Sequence, residues 1–354
     1  MRAKNSDTIP SSFVDQFRWL NLGADLVLRK YCAYALVLCC LASPANAAGI
    51  QLLDSDPGLP GAIWYPCAGG PKHVELGNVA PPADIGLTGV KDCPVTGARL
   101  PLVIFSHGRG GWFGQHSDTA EALADAGFVV AAINHPGDNG NDPSQRNKMS
   151  VWASRPADMV RLLDFMLHDW KDKAVIDPAR IGFFGFSLGG YTGLVVAGAI
   201  PDFRRLALFC KETDKTENCE RARSGDVPPS PQPDPRIRAA VLADAAMSFA
   251  FTPEGLSGIK IPVQIWRSEL GGYGVGAEST ARTASQLPGK PEIHTVPAGH
   301  FAFLAPCSPQ LATAVPRICT DEPAAFDRAA FHRDFNPSVV RFFRERLLGD
   351  GETR

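Results

Sequence analysis

Apolar residues fall along this chain in two patterns: short dense runs, and stretches in which they recur every three or four positions. Leu100 to Phe105, Phe128 to Asn134, Ile181 to Phe184, Ile237 to Leu242 and Ile261 to Trp266 are dense runs, with Asn134, Arg238 and Gln264 as their polar members. Runs of this length read as strands buried on both faces. Gly61 to Tyr65 reads as an early strand and Ile293 to Val296 as a short late one. Between them, Asp118 to Ala126 fits a helix that stops at Gly127. Ser154 and Pro156 open another in the cap and first-turn pattern, with Met159, Leu163, Met166 and Trp170 on one face. Leu188 to Ala199 is a helix of mostly small residues, and Asn336-Pro337 starts a last one that aligns Val340, Phe343 and Leu347. Strands alternating with helices predict a mostly parallel central sheet covered on both faces, an α/β architecture. Residues 201–235 break the rhythm. This stretch is polar, carries two cysteines and ends in a proline-rich run. It reads as an insertion that either covers a site at the strand ends or runs over the surface.

The start of the chain has a different pattern. Arg29 and Lys30 precede an apolar run, Tyr31 to Ala42, followed by Ser43-Pro44-Ala45-Asn46-Ala47-Ala48. A basic flank, a short apolar core and Ala-x-Ala predict an export signal over residues 1–47, with cleavage after Ala47 and one domain over 48–354. The run is short for a permanent span. An uncleaved anchor is the alternative, and Cys39 and Cys40 raise lipidation, although Leu38 is bulkier than a lipidation site prefers. The polar stretch before Arg29 is long for such a signal and leaves the start codon open. The expectation is a periplasmic or extracellular protein with no stable span after cleavage.

The 354 residues suffice for a large single core, and a formal net charge of −2 with no basic stripe excludes the usual nucleic-acid binder. Cys32, Cys39 and Cys40 fall in the expected signal. The other six of the nine cysteines form three sequence-local pairs. In an exported chain this suggests the disulfides Cys67–Cys93, Cys210–Cys219 and Cys307–Cys319, although six cysteines admit other pairings. With no CxxC pair or adjacent histidine, no metal is expected, and no cofactor.

The chemistry concentrates at Gly185-Phe186-Ser187-Leu188-Gly189, a G-x-S-x-G turn with an apolar strand before it and a helix after it. Such a turn exposes a serine nucleophile, and its tightness demands small neighbours. A serine hydroxyl needs a base. Of the later histidines, His294 lies inside a strand and His332 inside a helix, whereas His300 lies in the loop after the last short strand. His300 is therefore the expected base. The acid has two candidates. Asp244 ends the strand from Ile237, and Glu269 is the only carboxylate in the loop after Trp266. A carboxylate set among Ala243, Ala245 and Met247 needs a partner such as an imidazole, which favours Asp244. Oxyanion donors are expected from the backbone N–H groups of Leu188 and of Arg109, in the loop His107 to Gly111. His107, ahead of the nucleophile, reads as a loop-shaping residue. Trp112, Phe113, Phe186, Met247, Phe249, Phe301 and Phe303 lie near these motifs and are candidates for an apolar acyl pocket.

From about Trp64 onward, these motifs resemble the platelet-activating-factor acetylhydrolase family and bacterial proteins labelled dienelactone-hydrolase-like. The resemblance is carried by Leu102-Val103-Ile104-Phe105-Ser106-His107-Gly108 with Gly110, by Phe128 to His135, by Gly185 to Gly190, and above all by Leu242-Ala243-Asp244-Ala245. It is weakest in 201–235. It implies an α/β-hydrolase fold and a Ser187–His300–Asp244 triad, with Glu269 a neighbour. Arg109 departs from the apolar residue that relatives often carry, a change the backbone N–H would survive. Substrate preference does not transfer with fold. The reading is a serine esterase acting through an acyl-enzyme on short-to-medium acyl esters, with a small-molecule or lipid ester as partner. The alternatives are an extracellular polyester or cutin-type hydrolase and a non-catalytic binding module.

Overall fold

The computed structural model describes residues 46–54, 58–80 and 87–349. The expected export signal and the lipidation question at Cys39 and Cys40 lie outside these residues, apart from Asn46 and Ala47, which open the first strand. Among the described residues no helix is long and apolar enough to cross a membrane.

The strands are β1 (Asn46–Leu53), β2 (Gly61–Ala68), β3 (Lys72–His73), β4 (Thr88–Lys91), β5 (Leu100–Ser106), β6 (Val129–Ile133), β7 (Ile176–Phe186), β8 (Ile237–Ala243), β9 (Val263–Ser268) and β10 (Glu292–Val296). Across the sheet their order is β10-β9-β8-β7-β5-β6-β2-β1-β4-β3. From β10 to β6 every neighbouring pair is parallel, while β2 runs antiparallel to both β6 and β1. The apolar-rich runs are the central strands because both their faces are covered, and every residue of β5 and β6 is buried.

The main helices are α1 (Ser117–Asp125), α2 (Met149–His168), α3 (Leu188–Val196), α4 (Glu217–Ser224), α5 (Ala277–Gln286) and α6 (Arg328–Phe343). Met159, Leu163 and Met166 of α2 and Leu194 and Val195 of α3 pack into the core on one face of the sheet. Leu123 of α1 and Phe335, Val339 and Phe343 of α6 build the core on the other. All nine residues of α3 are buried, as a helix enclosed between sheet and neighbours should be.

Two helices begin earlier than their prolines suggest. Helix α2 starts at Met149 and contains Pro156, so Ser154 and Pro156 do not open it. Pro156 has no N–H to give to Trp152 O, and the Tyr191 hydroxyl donates to that carbonyl at 2.9 Å instead. Likewise α6 starts at Arg328, capped by Asp327, whose side chain accepts from Ala330 N, and Pro337 lies inside it. Disulfides join Cys67 to Cys93, Cys210 to Cys219 and Cys307 to Cys319.

Candidate active site

Strand β7 runs into α3 through a single residue, Ser187, at φ 55° and ψ −116°. That conformation is strained for a residue with a Cβ and holds only where the surroundings enforce it. Glycines make it possible. A Cβ on Gly185 would lie 2.2 Å from Gly189 O, and one on Gly189 would lie 1.8 Å from Ser106 O. The turn is pinned from β8, with Ser187 N donating to Ala243 O at 2.9 Å and Ala246 N donating to Ser187 O at 2.9 Å. The serine side chain is thereby aimed past the C-terminal ends of the parallel strands, where open α/β sheets place their sites.

His300 Nε2 lies 2.9 Å from Ser187 Oγ, and its Nδ1 lies 2.6 Å from Asp244 Oδ2. Asp244 is fully buried and also accepts from Ser268 N at 3.0 Å and Ser268 Oγ at 2.7 Å. These donors satisfy the buried carboxylate in place of water. The arrangement fixes the imidazole tautomer: Nδ1–H donates to Asp244, leaving Nε2 to accept from the serine hydroxyl. Phe186 stacks on the His300 ring at 4.6 Å, and His300 N donates to Gly271 O at 2.8 Å. Glu269 is exposed and is not brought to His300.

The loop after β5 lies against the serine: a Cβ on Gly108 would be 3.3 Å from the Ser187 Cβ. A buried polar network behind the loop holds its shape. Arg155, wholly inside α2, donates to Asp138 Oδ2 at 2.7 Å and also to His107 O. Asp138 Oδ1 accepts from Gly110 N at 2.9 Å. His107 Nε2 accepts from His135 N at 3.1 Å, so its Nδ1–H donates to Gly108 O at 2.6 Å. Burial, then the nearby Arg155 charge, pushes the His107 imidazole well below its ordinary pKa, so it stays neutral. Leu188 is the first residue of α3, so its N–H has no acceptor within the helix.

Ser106 Oγ lies 2.8 Å from His135 Nε2, and His135 Nδ1 lies 3.0 Å from Asp158 Oδ2. These are the same residue types in the same order of contact as at Ser187. Yet Ser106 and His135 are fully buried, and Ser106 also faces Arg155 Nη2 at 3.4 Å. Shut off from solvent at both Ser106 and His135, this second relay braces the loop.

Ser187 opens into a cleft of about 510 Å³ lined by Arg109, Arg146, Trp152, Leu188, Phe209, Met247, Phe249, Tyr273, Val275 and Arg282 among others. Of the aromatic and sulfur residues expected to form a pocket, Met247 and Phe249 line it. Trp112, Phe113 and Phe186 do not: they are buried in the core, Phe113 against Trp64 and Phe186 beneath His300. Phe303 is likewise fully buried, and Phe301 stacks on Tyr273 at 4.0 Å outside the lining. The insertion borders the cleft through Phe209 and Asn218, and Asn218 Nδ2 donates to Asn147 O at 2.7 Å. Trp152, Phe209, Tyr273, Arg146 and Arg282 were not foreseen. Phe209, a large apolar residue 57% exposed within a polar insertion, was the one readable signal. A larger cavity, about 1160 Å³, opens at the other ends of the strands beside Leu100, Gly127 and Arg180. Its described lining holds no serine, threonine or cysteine.

The other two histidines after Ser187 are structural by their contacts. His294 stacks on Trp266 at 4.0 Å, and His332 bridges Asp118 Oδ2 at 2.6 Å and Ala302 O at 2.9 Å.

Residues 98–217, about a third of the chain, match the family described as serine aminopeptidase, S33. That span holds Arg109 and Ser187 and ends before Asp244 and His300. The structure is similar to that of a ferulic acid esterase from Streptomyces cinnamoneus, at TM-score 0.59 and 20% identity over 88% of this chain and 94% of that one. At this identity the likeness is one of fold, and the fold is that of the α/β-hydrolases. Comparison with curated proteins finds no match.

Proposed function

We propose that the protein is an exported serine esterase that cleaves carboxylic esters through an acyl-enzyme. The observation that carries this reading is the continuous hydrogen-bonded chain from Ser187 through His300 to Asp244 at the floor of an open cleft. His300 Nε2 takes the hydroxyl proton as Ser187 Oγ attacks the ester carbonyl. Asp244 holds the ring and stabilises the imidazolium. The N–H groups of Leu188 and Arg109 receive the oxyanion, and His300 then returns the proton to the leaving alcohol. Water activated by the same nitrogen releases the acid. The serine-hydrolase family match and the esterase-like fold support the same chemistry. The acid after β8 supports kinship with the acetylhydrolase-like hydrolases, and three disulfides support export.

The cleft volume suits short-to-medium acyl esters. Ser187→Ala should lower turnover of p-nitrophenyl acetate by several orders of magnitude, and wild-type turnover in that variant would overturn the proposal. A polyester-type substrate is favoured by one observation, the exposure of Phe209 and Tyr273 at the cleft. Release of soluble products from a polyester film, at a rate comparable to that on small esters, would support it.

A further inference from the structure

The charges around Ser187 are one-sided. Arg109, Arg146 and Arg282 all line its cleft, and none of the described lining residues is an aspartate or glutamate. These cations are weakly satisfied by the protein. Arg109 Nη1 donates to a neutral partner, Asn147 Oδ1, at 3.2 Å. Arg146 Nη2 donates to Asn139 O at 2.9 Å, its Nε is buried without a hydrogen bond, and its nearest carboxylate, Asp138 Oδ1, is 3.9 Å away and already engaged by Gly110. Asp138 is moreover claimed by Arg155. Among the described residues neither Arg109 nor Arg282 enters an ion pair. The rest of the wall carries no charge: apolar side chains such as Trp152, Phe209, Met247, Phe249 and Val275 alternate with neutral polar ones such as Asn147, Asn218 and Ser279. The apolar part of the wall strengthens the field of the guanidinium groups inside the cleft.

We infer that the ester this site is built for carries an anion: a carboxylate held by the arginine cluster, on an apolar or aromatic body held by the cleft wall. The inference rests on the serine-esterase reading and narrows its substrate class. Guanidinium is the side chain best matched to a carboxylate, since its planar donors can bind both oxygens at once. A cationic ester meets three like charges, and a neutral one leaves the cluster unused. The carboxylate can sit on the acyl side or on the leaving-group side.

Two matched pairs separate these. Mono-p-nitrophenyl adipate against p-nitrophenyl hexanoate places the charge on the acyl group. 4-Butyryloxybenzoate against its methyl ester places it on the leaving group. The readout is the ratio of kcat/KM, anionic over neutral, so that general losses of activity cancel. At low ionic strength the wild type should favour the anion by about tenfold or more in at least one pair, and the preference should shrink severalfold in 0.5 M NaCl. Arg282→Gln should lower the ratio and Arg282→Lys should keep most of it. A ratio of one or less in both pairs overturns the inference and leaves ester hydrolysis standing. Hydrolysis of none of the four esters removes the esterase reading, and this inference with it.

Discussion

Asp244→Asn is the substitution that separates the two carboxylates left open by the sequence. Asparagine keeps the shape of the side chain, so the buried pocket stays filled and the acceptor for Ser268 N, now 3.0 Å from Oδ1, is retained. The amide nitrogen then takes the place of Oδ2, which faces Ser268 Oγ at 2.7 Å and His300 Nδ1 at 2.6 Å. Ser268 can rotate its hydroxyl to accept, but His300 must turn Nδ1 into an acceptor. Its proton moves to Nε2, which can no longer take one from Ser187. A wrong tautomer of this kind costs about 10⁴-fold in kcat, or roughly 5.5 kcal/mol of transition-state stabilisation. Stability should change by only about 1 kcal/mol, the scale of one exchanged hydrogen bond. Glu269→Gln, at an exposed position, should leave kcat within about twofold. Steady-state hydrolysis of p-nitrophenyl butyrate, with thermal unfolding as the control for folding, reads both. Asp244→Asn folding normally and keeping more than a tenth of kcat, or Glu269→Gln losing activity in its place, would refute the reasoning.

Arg155→Met should strand the buried Asp138 carboxylate, cost about 3–5 kcal/mol in stability, and lower kcat more than it raises KM because the loop bearing Arg109 loosens. An unchanged Tm would contradict it, and adding Asp138→Asn should recover part of the loss. Burial foremost, and then Asp118 and Asp125, lift the Glu121 carboxyl to about 7. The native state therefore holds its proton where the unfolded chain has lost it, and stability falls as pH rises from about 4.5 through 7. Glu121→Gln should accordingly raise stability at pH 8 by on the order of 1–2 kcal/mol after screening, read as a higher Tm, and change it little at pH 4; equal effects at both would count against this. Removing the Cys210–Cys219 disulfide with two serines loosens the segment that presents Phe209 and Asn218 to the cleft. KM for p-nitrophenyl butyrate should rise severalfold with kcat within about twofold, and a kcat collapse at unchanged KM would place the insertion's role elsewhere.

The central strands were legible because a strand segment covered on both faces must be apolar, as Leu100–Phe105 of β5, all of β6, Ile181–Phe186 of β7 and Ala239–Ala243 of β8 are. Ser187 and His300 were legible because the tight turn imposes glycines and because only one later histidine lies in a loop past the strands. What failed did so where a distant residue overrides a local rule. Pro156 sits inside α2 because Tyr191 caps the carbonyl it leaves open, and nothing near Pro156 announces that. Trp112, Phe113 and Phe186 lie close to the motifs in sequence but face the core, since position along a strand or turn does not give the face. The arginines of the cleft come from a loop after β5, a loop before α2, and α5, so only the folded chain collects them. β1 went unread because it begins at the edge of the apparent signal.

The claim beneath all of this is that one serine, Ser187, is accessible and activated. The protein also carries Ser106 in a similar relay, which is buried. Labelling the native protein with a fluorophosphonate and mapping the modified peptide by mass tests that contrast directly. The account predicts one stoichiometric adduct, on Ser187, lost in His300→Ala. An adduct on another serine, or no adduct on folded protein, would contradict it.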